Sequence, residues 1–199
     1  MTIAARKLRQ QEELKKSILE ASWEIVVSEG WAALSIRRIA EAIEYSVPVV
    51  YKHFENKDAI VEYFTLEGFR LLAKDLTAAV DNQICSKGKI QSIAQAYWNF
   101  AVTHQKHYEI MFGLGIPKCE VVNSAIEMKT TVHIMISVIE EAIAKNNKKD
   151  VDSLLKFKTF WSILHGIVAI ELLSNTAINQ EPSPILKEAI DGYISSFIN

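Results

Sequence analysis

Hydrogen-bond donors and small apolar side chains crowd one short stretch, SIRRIAEAIEYSVPVVYKHFENKDAI, residues 35 to 60. Ser35, Arg37, Ser46, Tyr51, Lys52, His53 and Lys57 can all donate to phosphate oxygens. Ser35 and Ser46 also stand where a hydroxyl caps a helix whose first amides face an anion. Val47, Pro48 and Val49 supply the methyl and methylene groups that touch base edges or thymine methyls in a major groove. The chemistry open to this set is noncovalent: donors fix a helix on a phosphate backbone while its short side chains meet bases. The competing reading is a compact three-helix packing unit with a few surface cations.

A second constellation lies downstream. Tyr97, Phe100, His104, Tyr108, Met111, Met128, Met135, Trp161 and His165 mix rings, thioethers and a few polar atoms, as ligand pockets and ordinary cores both do. His104-x-x-His107 sets two imidazoles on one helical face, at most half of a metal site, and surface or core histidines account for the pair more simply. The residues three places before His53, His104, His107, His133 and His165 are Val50, Ala101, His104, Thr130 and Ser162, so the carboxylate-x-x-His spacing of di-iron bundles is missing. No Gly-x-Gly-x-x-Gly, phosphate-loop or Gly-x-Ser-x-Gly element occurs, and Cys85 and Cys119 have no activating signature nearby. No catalytic residue, metal ligand set or cofactor is expected.

Helices must position both sets. Leu14, Ile18, Ala21 and Ile25 recur at helical spacing, which predicts a helix over 10–29 closed by Gly30. Ser35 caps a two-turn helix with Ile36, Ile39, Ala40 and Ile43 inward, and Arg37, Arg38 and Glu41 outward. Glu44-Tyr45 reads as a turn, followed by a helix capped by Ser46, with Pro48 in its first turn, ending near Phe54. Asn56 opens a fourth helix to about Val80, residues 81–89 form a loop, and a fifth helix runs from Ile90 to about His104. Gly113, Gly115 and Pro117 break the chain before helices over 120–146 and 151–174, and Ser183-Pro184 opens the last one.

Composition agrees with this outline. In 199 residues, 49% are hydrophobic and only 7 are Gly and 4 Pro, which favours a few long helices over many short strands. The expected fold is all-α with about nine helices. A net charge of -2 gives no whole-chain pull toward nucleic acid, so such binding must be local. The first 16 residues hold Arg6, Lys7, Arg9, Lys15 and Lys16 against Glu12 and Glu13. Two distant cysteines suggest no disulfide framework or zinc knuckle, no secretory signal opens the chain, and the apolar run from Trp161 to Leu173 is interrupted by Ser162, His165 and Glu171. A soluble, cytoplasmic protein without a membrane segment is expected. The apolar helices 151–174 and 184–198 fit either a four-helix dimer interface or a larger monomeric core.

A long helix followed by two short ones about a tight turn is the outline of a helix-turn-helix. Ser35, Ile39-Ala40, Ser46, Val50-Tyr51-Lys52-His53-Phe54 and Asn56-Lys57-Asp58 resemble the N-terminal domain of the tetracycline-repressor (TetR/AcrR) family, over about residues 10 to 64. Trp161 with His165-Gly166 resembles the element of one C-terminal subclass, the WHG type. The resemblance implies a DNA-binding domain over 1–56, an effector-binding and dimerisation domain over 57–199, and a homodimer joined through its last two helices. It implies a transcriptional repressor, released from a palindromic double-stranded operator by a small effector; the types of the pocket candidates point to an apolar or amphipathic one. The rival is a helical small-molecule-binding protein or enzyme without sequence-specific DNA binding. Two departures stand out: Glu44 holds the turn position usually given to Gly, so it must either take a positive φ or the turn must re-form, and Pro48-Val49 replace Gly then Thr or Ser.

Overall fold

The computed structural model describes residues 3–113, 125–148, 150–173 and 181–198. Its elements are α1 (Ile3–Glu29), a 3-10 turn (Trp31–Ala33), α2 (Ile36–Ala42), α3 (Val47–Tyr51), α4 (Lys57–Asp81), α5 (Ser86–Thr103), α6 (Gln105–Met111), α7 (Ile126–Lys145), α8 (Ser153–Leu173) and α9 (Pro184–Ser195). Nine α-helices and no strand are found among the described residues, so the chain is all-α as expected.

The caps explain where several helices start. Ser35 Oγ accepts from Arg38 N at 3.3 Å, Asn56 Oδ1 from Ala59 N at 2.9 Å and Ser183 Oγ from Leu186 N at 3.3 Å. Each such cap contributes about 1 kcal/mol. Other boundaries differ from the sequence reading. α1 begins at Ile3 instead of Gln10, because residues 3–13 are good helix formers without an apolar face, and Arg9 pairs with Glu13 one turn away at 2.8 Å. α3 stops at Tyr51, short of Phe54. α5 begins at Ser86, four residues before Ile90, with Cys85 Sγ accepting from Gly88 N at 3.3 Å. The fifth helix ends near His104 as expected, where φ of -114° and ψ of 44° leave the helical region, but a further helix, α6, follows that the sequence reading leaves unassigned. The start of the 120–146 helix, Gly115, Pro117 and Cys119 lie outside the described residues.

α1, α2 and α3 form a small head around Ile18, Ile39, Val50 and Phe54. The 25-residue α4 leaves that head and packs on α5, α6 and α7. One hydrophobic core runs through both parts, from Ile18 to Phe197. α8 and α9 are pinned together: the Phe160 and Tyr193 rings stack at 5.2 Å, and Tyr193 Oη donates to the Lys156 carbonyl at 3.0 Å.

Gly68 on α4 sets how near α6 can come. A Cβ there would lie 2.5 Å from Met111 Sδ, 3.0 Å from Met111 Cγ and 3.2 Å from His107 Cβ. Gly68→Leu should therefore overpack the α4–α6 contact and lower stability by about 1–3 kcal/mol. The check is a drop in urea midpoint with the slope unchanged; an unaltered midpoint would show that α6 is not held this closely.

Candidate nucleic-acid interface and the joint behind it

The head presents α3 on a fixed turn. Glu44 adopts φ +57°, as a non-Gly residue in a Gly position must, at a cost of about 1 kcal/mol. Hydrogen bonds from Tyr45 N to Ala40 O, 2.9 Å, and Glu44 N to Glu41 O, 3.2 Å, hold the turn closed. Val50 and Phe54 anchor α3 in the core, so its remaining faces turn outward.

The ten DNA-contact candidates fall in three places. Ser46, Val47, Pro48, Val49, Tyr51, Lys52 and His53 lie on α3 and its ends. Ser46, Pro48, Tyr51 and Lys52 are exposed, and Val47, Val49 and His53 half-buried. Ser46 occupies the N-cap position, but its hydroxyl makes no capping bond, so that expectation is corrected: Val49 N bonds to the Ser46 carbonyl instead. Ser35 and Arg37 sit at the start of α2, the first engaged as a cap and the second paired with Glu41 at 3.0 Å. Lys57, at the start of α4, donates to the Trp31 carbonyl at 3.3 Å. Arg38, outside the candidate set, ties α2 back to α1 through Glu29 and to the 3-10 turn through the Ala33 carbonyl. Its guanidinium holds the Glu29 carboxyl below the usual carboxylate range.

Of the nine pocket candidates, four meet around Phe112, a residue that the sequence marks only as preceding a chain break. The Phe112 ring lies 4.7 Å from Tyr108, 5.0 Å from His165, 6.1 Å from Tyr97 and 6.2 Å from Trp161. Tyr108 Oη and His165 Nδ1 share a 2.7 Å hydrogen bond, and burial lowers the affinity of His165 for a proton. Burial also pushes the Tyr97 and Tyr108 phenols well above the usual tyrosine range. The Tyr97 hydroxyl is buried without a hydrogen-bond partner among the described residues. Phe100 instead stacks near His104 at 5.2 Å, Met111 lies against Gly68, Met135 is fully buried, and Met128 lines a hollow on α7 with Val132, His133 and Ile136. The His104 and His107 rings are 5.9 Å apart, and no group of three His, Cys, Asp or Glu suited to a metal ion occurs among the described residues.

Two family models match this arrangement. One, "Bacterial regulatory proteins, tetR family", covers residues 18–64, the head and the start of α4. The other, "Tetracyclin repressor-like, C-terminal domain", covers residues 90–193, over half of the chain. The chain belongs to the tetR family of bacterial regulatory proteins. Its head carries the helix-turn-helix of that family, and the two matched models describe an N-terminal and a C-terminal part of such proteins. An HTH-type transcriptional regulator of Mycobacterium tuberculosis (strain ATCC 25618 / H37Rv) is 23% identical over 109 residues, 54% of this chain and 47% of that protein. The chain thus spans about half the length of the curated relatives it matches. Solved structures share the fold over nearly the whole chain. A protein with unknown function from Rhodococcus sp. RHA1 has a TM-score of 0.78 at 20% identity, covering 94% of this chain and 96% of that one. A transcriptional regulator FadR from Bacillus subtilis in complex with stearoyl-CoA has 0.73 at 14% identity, covering 90% and 97%.

In this tetR-family regulator the head meets the remaining helices at an aromatic joint that sequence patterns do not reveal. Trp31 Nε1 donates to the Lys106 carbonyl on α6 at 2.8 Å. The Trp23 ring of α1 lies 4.3 Å from His107 and 5.2 Å from Phe64. His107 Nε2 donates to Glu67 on α4 at 3.3 Å, while its buried Nδ1 has no partner among the described residues. Burial makes His107 harder to protonate, Glu67 opposes that, and His104 adds to it. Neighbouring residues of α6 therefore serve opposite sides, His107 toward the head and Tyr108 toward His165.

Because His107 and His165 are both disfavoured as cations, the folded regulator binds fewer protons than the unfolded chain once pH falls below about 6.5. Stability should be full above that pH and decline as pH falls through the range beneath it. His107→Gln should flatten the decline between about pH 6.5 and pH 5, read from urea midpoints at several pH values. An equally steep decline in the variant would remove His107 from the account.

Proposed function

We propose that this chain is a homodimeric, cytoplasmic repressor whose head, residues 1–56, binds a palindromic operator and whose remainder, 57–199, binds an effector that releases it. The observation that carries the reading is α3 itself. It offers a short, largely apolar face, Val47, Pro48 and Val49, with donors at both ends, on a head fixed by Val50, Phe54 and the Glu44 turn. Ser46, Tyr51, Lys52 and His53 are the phosphate clamps, Val47, Pro48 and Val49 meet the bases, and Ser35, Arg37 and Lys57 support them from the starts of α2 and α4.

The ring cluster around Phe112, with Tyr97, Tyr108, Trp161 and His165, is the favoured wall of the effector site, and Phe100, His104, Met111, Met128 and Met135 are the further candidates for its lining. It favours an apolar or amphipathic effector, in keeping with a structural neighbour solved with stearoyl-CoA. Trp161, His165 and Gly166 on α8 support the WHG-type subclass, with His165 hydrogen-bonded to Tyr108.

Dimerisation is supported by uncovered faces. Of the 21 residues of α8 only Phe157, Phe160, Leu164 and Val168 are buried. Leu155, Thr159, Ser162, Gly166, Ile170 and Leu173 follow one another at helical spacing along the opposite face, and Ile170 and Leu173 are 70% and 71% exposed. α8 is long and apolar enough to cross a membrane by length and composition. Its outward face, however, carries hydroxyls and a glycine, as a close helix–helix contact does. Gly166 and Gly192 on α9 have nothing within 4 Å of where a Cβ would stand. A glycine inside a helix costs about 1 kcal/mol relative to alanine, and a second copy approaching closely here gives both a reason. The switch is a coupling free energy: effector and operator each weaken the other by the same factor, and about 1–3 kcal/mol yields a 5- to 150-fold response.

The test of DNA binding is titration of the purified chain with its own upstream intergenic DNA over a salt series. Sequence-selective binding is expected, and Tyr51→Ala or Lys52→Ala should weaken it about tenfold or more while circular dichroism stays unchanged. An intact dimer that shows no selective binding would overturn the reading. Gly192→Leu, harmless within one chain, should shift sedimentation toward monomer; an unaffected dimer would place the interface elsewhere.

A further inference from the structure

The N-terminal part of α1 is unexplained by the head. α1 runs for 27 residues, yet its buried residues begin at Ile18, and residues 3–13 are exposed without exception. Arg6, Lys7 and Arg9 lie in this projecting part with no acid before Glu12. Arg9 pairs with Glu13 and Lys16 with Glu20, which leaves Arg6 and Lys7 as cations without a described ion pair.

The root of the projection is fixed beside α3. Lys15 Nζ sits 5.7 Å from the Phe54 ring centroid, just past the end of α3. Gln10, Glu13, Leu14 and Ser17 line a groove with Ala42, Ile43 and Tyr45, just before its start. α1 therefore leaves the head alongside the helix assigned to the major groove. The helical register says which way the cations face. The stripe that buries Ile18, Ala21 and Ile25 continues backward through Leu14 to Lys7, seven residues or almost two full turns earlier, with Arg6 beside it. Beyond the edge of the head, that face carries Lys7 in place of the buried apolar side chains. At 1.5 Å per residue Lys7 lies about 12 Å past Lys15, roughly the width of a major groove.

We propose that residues 3–13 of α1 form an arm that lays Arg6 and Lys7 on the sugar–phosphate backbone flanking the half-site met by α3. This rests on the reading of the head as DNA-binding. The partner is double-stranded DNA because the arm's root lies beside α3, its cations are without described acidic partners, and its reach matches one groove. The contacts are to phosphate, so they add affinity and register without base specificity.

The experiment uses the full chain and its upstream fragment, with observed affinity plotted against salt on logarithmic axes. Each cation withdrawn from a phosphate should reduce the slope by about 0.9, so Arg6→Ala/Lys7→Ala should lower it by about 1.8 per arm. Hydroxyl-radical protection next to each half-site should disappear, with the thermal midpoint unchanged. Arg6→Lys alone, with Lys7 intact, should keep the wild-type slope, since a point charge suffices at a phosphate, and Lys74→Ala on the far part of α4 should leave the slope unaltered. Wild-type slope and footprint in the double variant, with the wild type still binding selectively, would overturn the arm alone. Failure of the wild type to bind DNA would overturn the head reading and the arm together. Loss of binding to vesicles of phosphatidylcholine with 30% phosphatidylglycerol, at an unchanged DNA slope, would assign the arm to a membrane surface and overturn the proposal.

Discussion

The close approach of α6 to α4 at Gly68 is the contact on which the rest of the molecule depends. No side chain separates the two helices there, and Met111 and the His107 Cβ fill the space a Cβ would need. That closeness brings His107 to Glu67 and Trp23, and puts the Lys106 carbonyl within reach of Trp31. The head is thus attached to the larger bundle twice, through the continuous α4 and through the short α6. A helix held by one residue to the head and by the next to the Phe112 cluster is a small rigid element with two clients. Any ligand that shifted the cluster would have to move His107 and Trp31 with it.

The parts of this arrangement that are legible in the sequence are those written in local rules. Ser35, Asn56 and Ser183 announce helix starts because a side-chain oxygen satisfies orphan amides, and the structure uses all three. Glu44 stands out as a strained turn residue from its place in the motif, and its φ is positive. The illegible parts are set by tertiary contacts. The end of α5 near His104 is legible, but α6 is not, because its seven residues are too few to show a helical period. The joint draws Trp23, Trp31, Glu67 and His107 from four elements far apart in the chain, and periodicity marks each only as core or surface. The α1 projection escapes notice for the opposite reason: with no core to face, it has no apolar period to read.

The candidate sites divide in the same way. The α3 residues can be named because a short motif carries them on consecutive positions. The pocket residues are chosen by type, and type alone brings in Met128 on the α7 surface beside Trp161 and His165, while leaving out Phe112 at the centre. α8 illustrates the limit of composition. A helix with this much apolar surface looks buried, yet among the described residues its buried positions form a single stripe. The covered stripe is aromatic and branched; the uncovered one is spaced by Thr159, Ser162 and Gly166. In the proposed dimer that difference separates contacts within a protomer, which need bulk, from contacts between protomers, which need closeness.

The central claim is that α3 reads DNA and that α6 feels it through the joint. Amide hydrogen exchange on the full chain, with and without its operator fragment, measures both at once. The account predicts slowed exchange in α3 and at the start of α4, together with a change in α6 at residues 105–111, which touch no DNA. Protection confined to the head, with α6 exchanging as before, would contradict it.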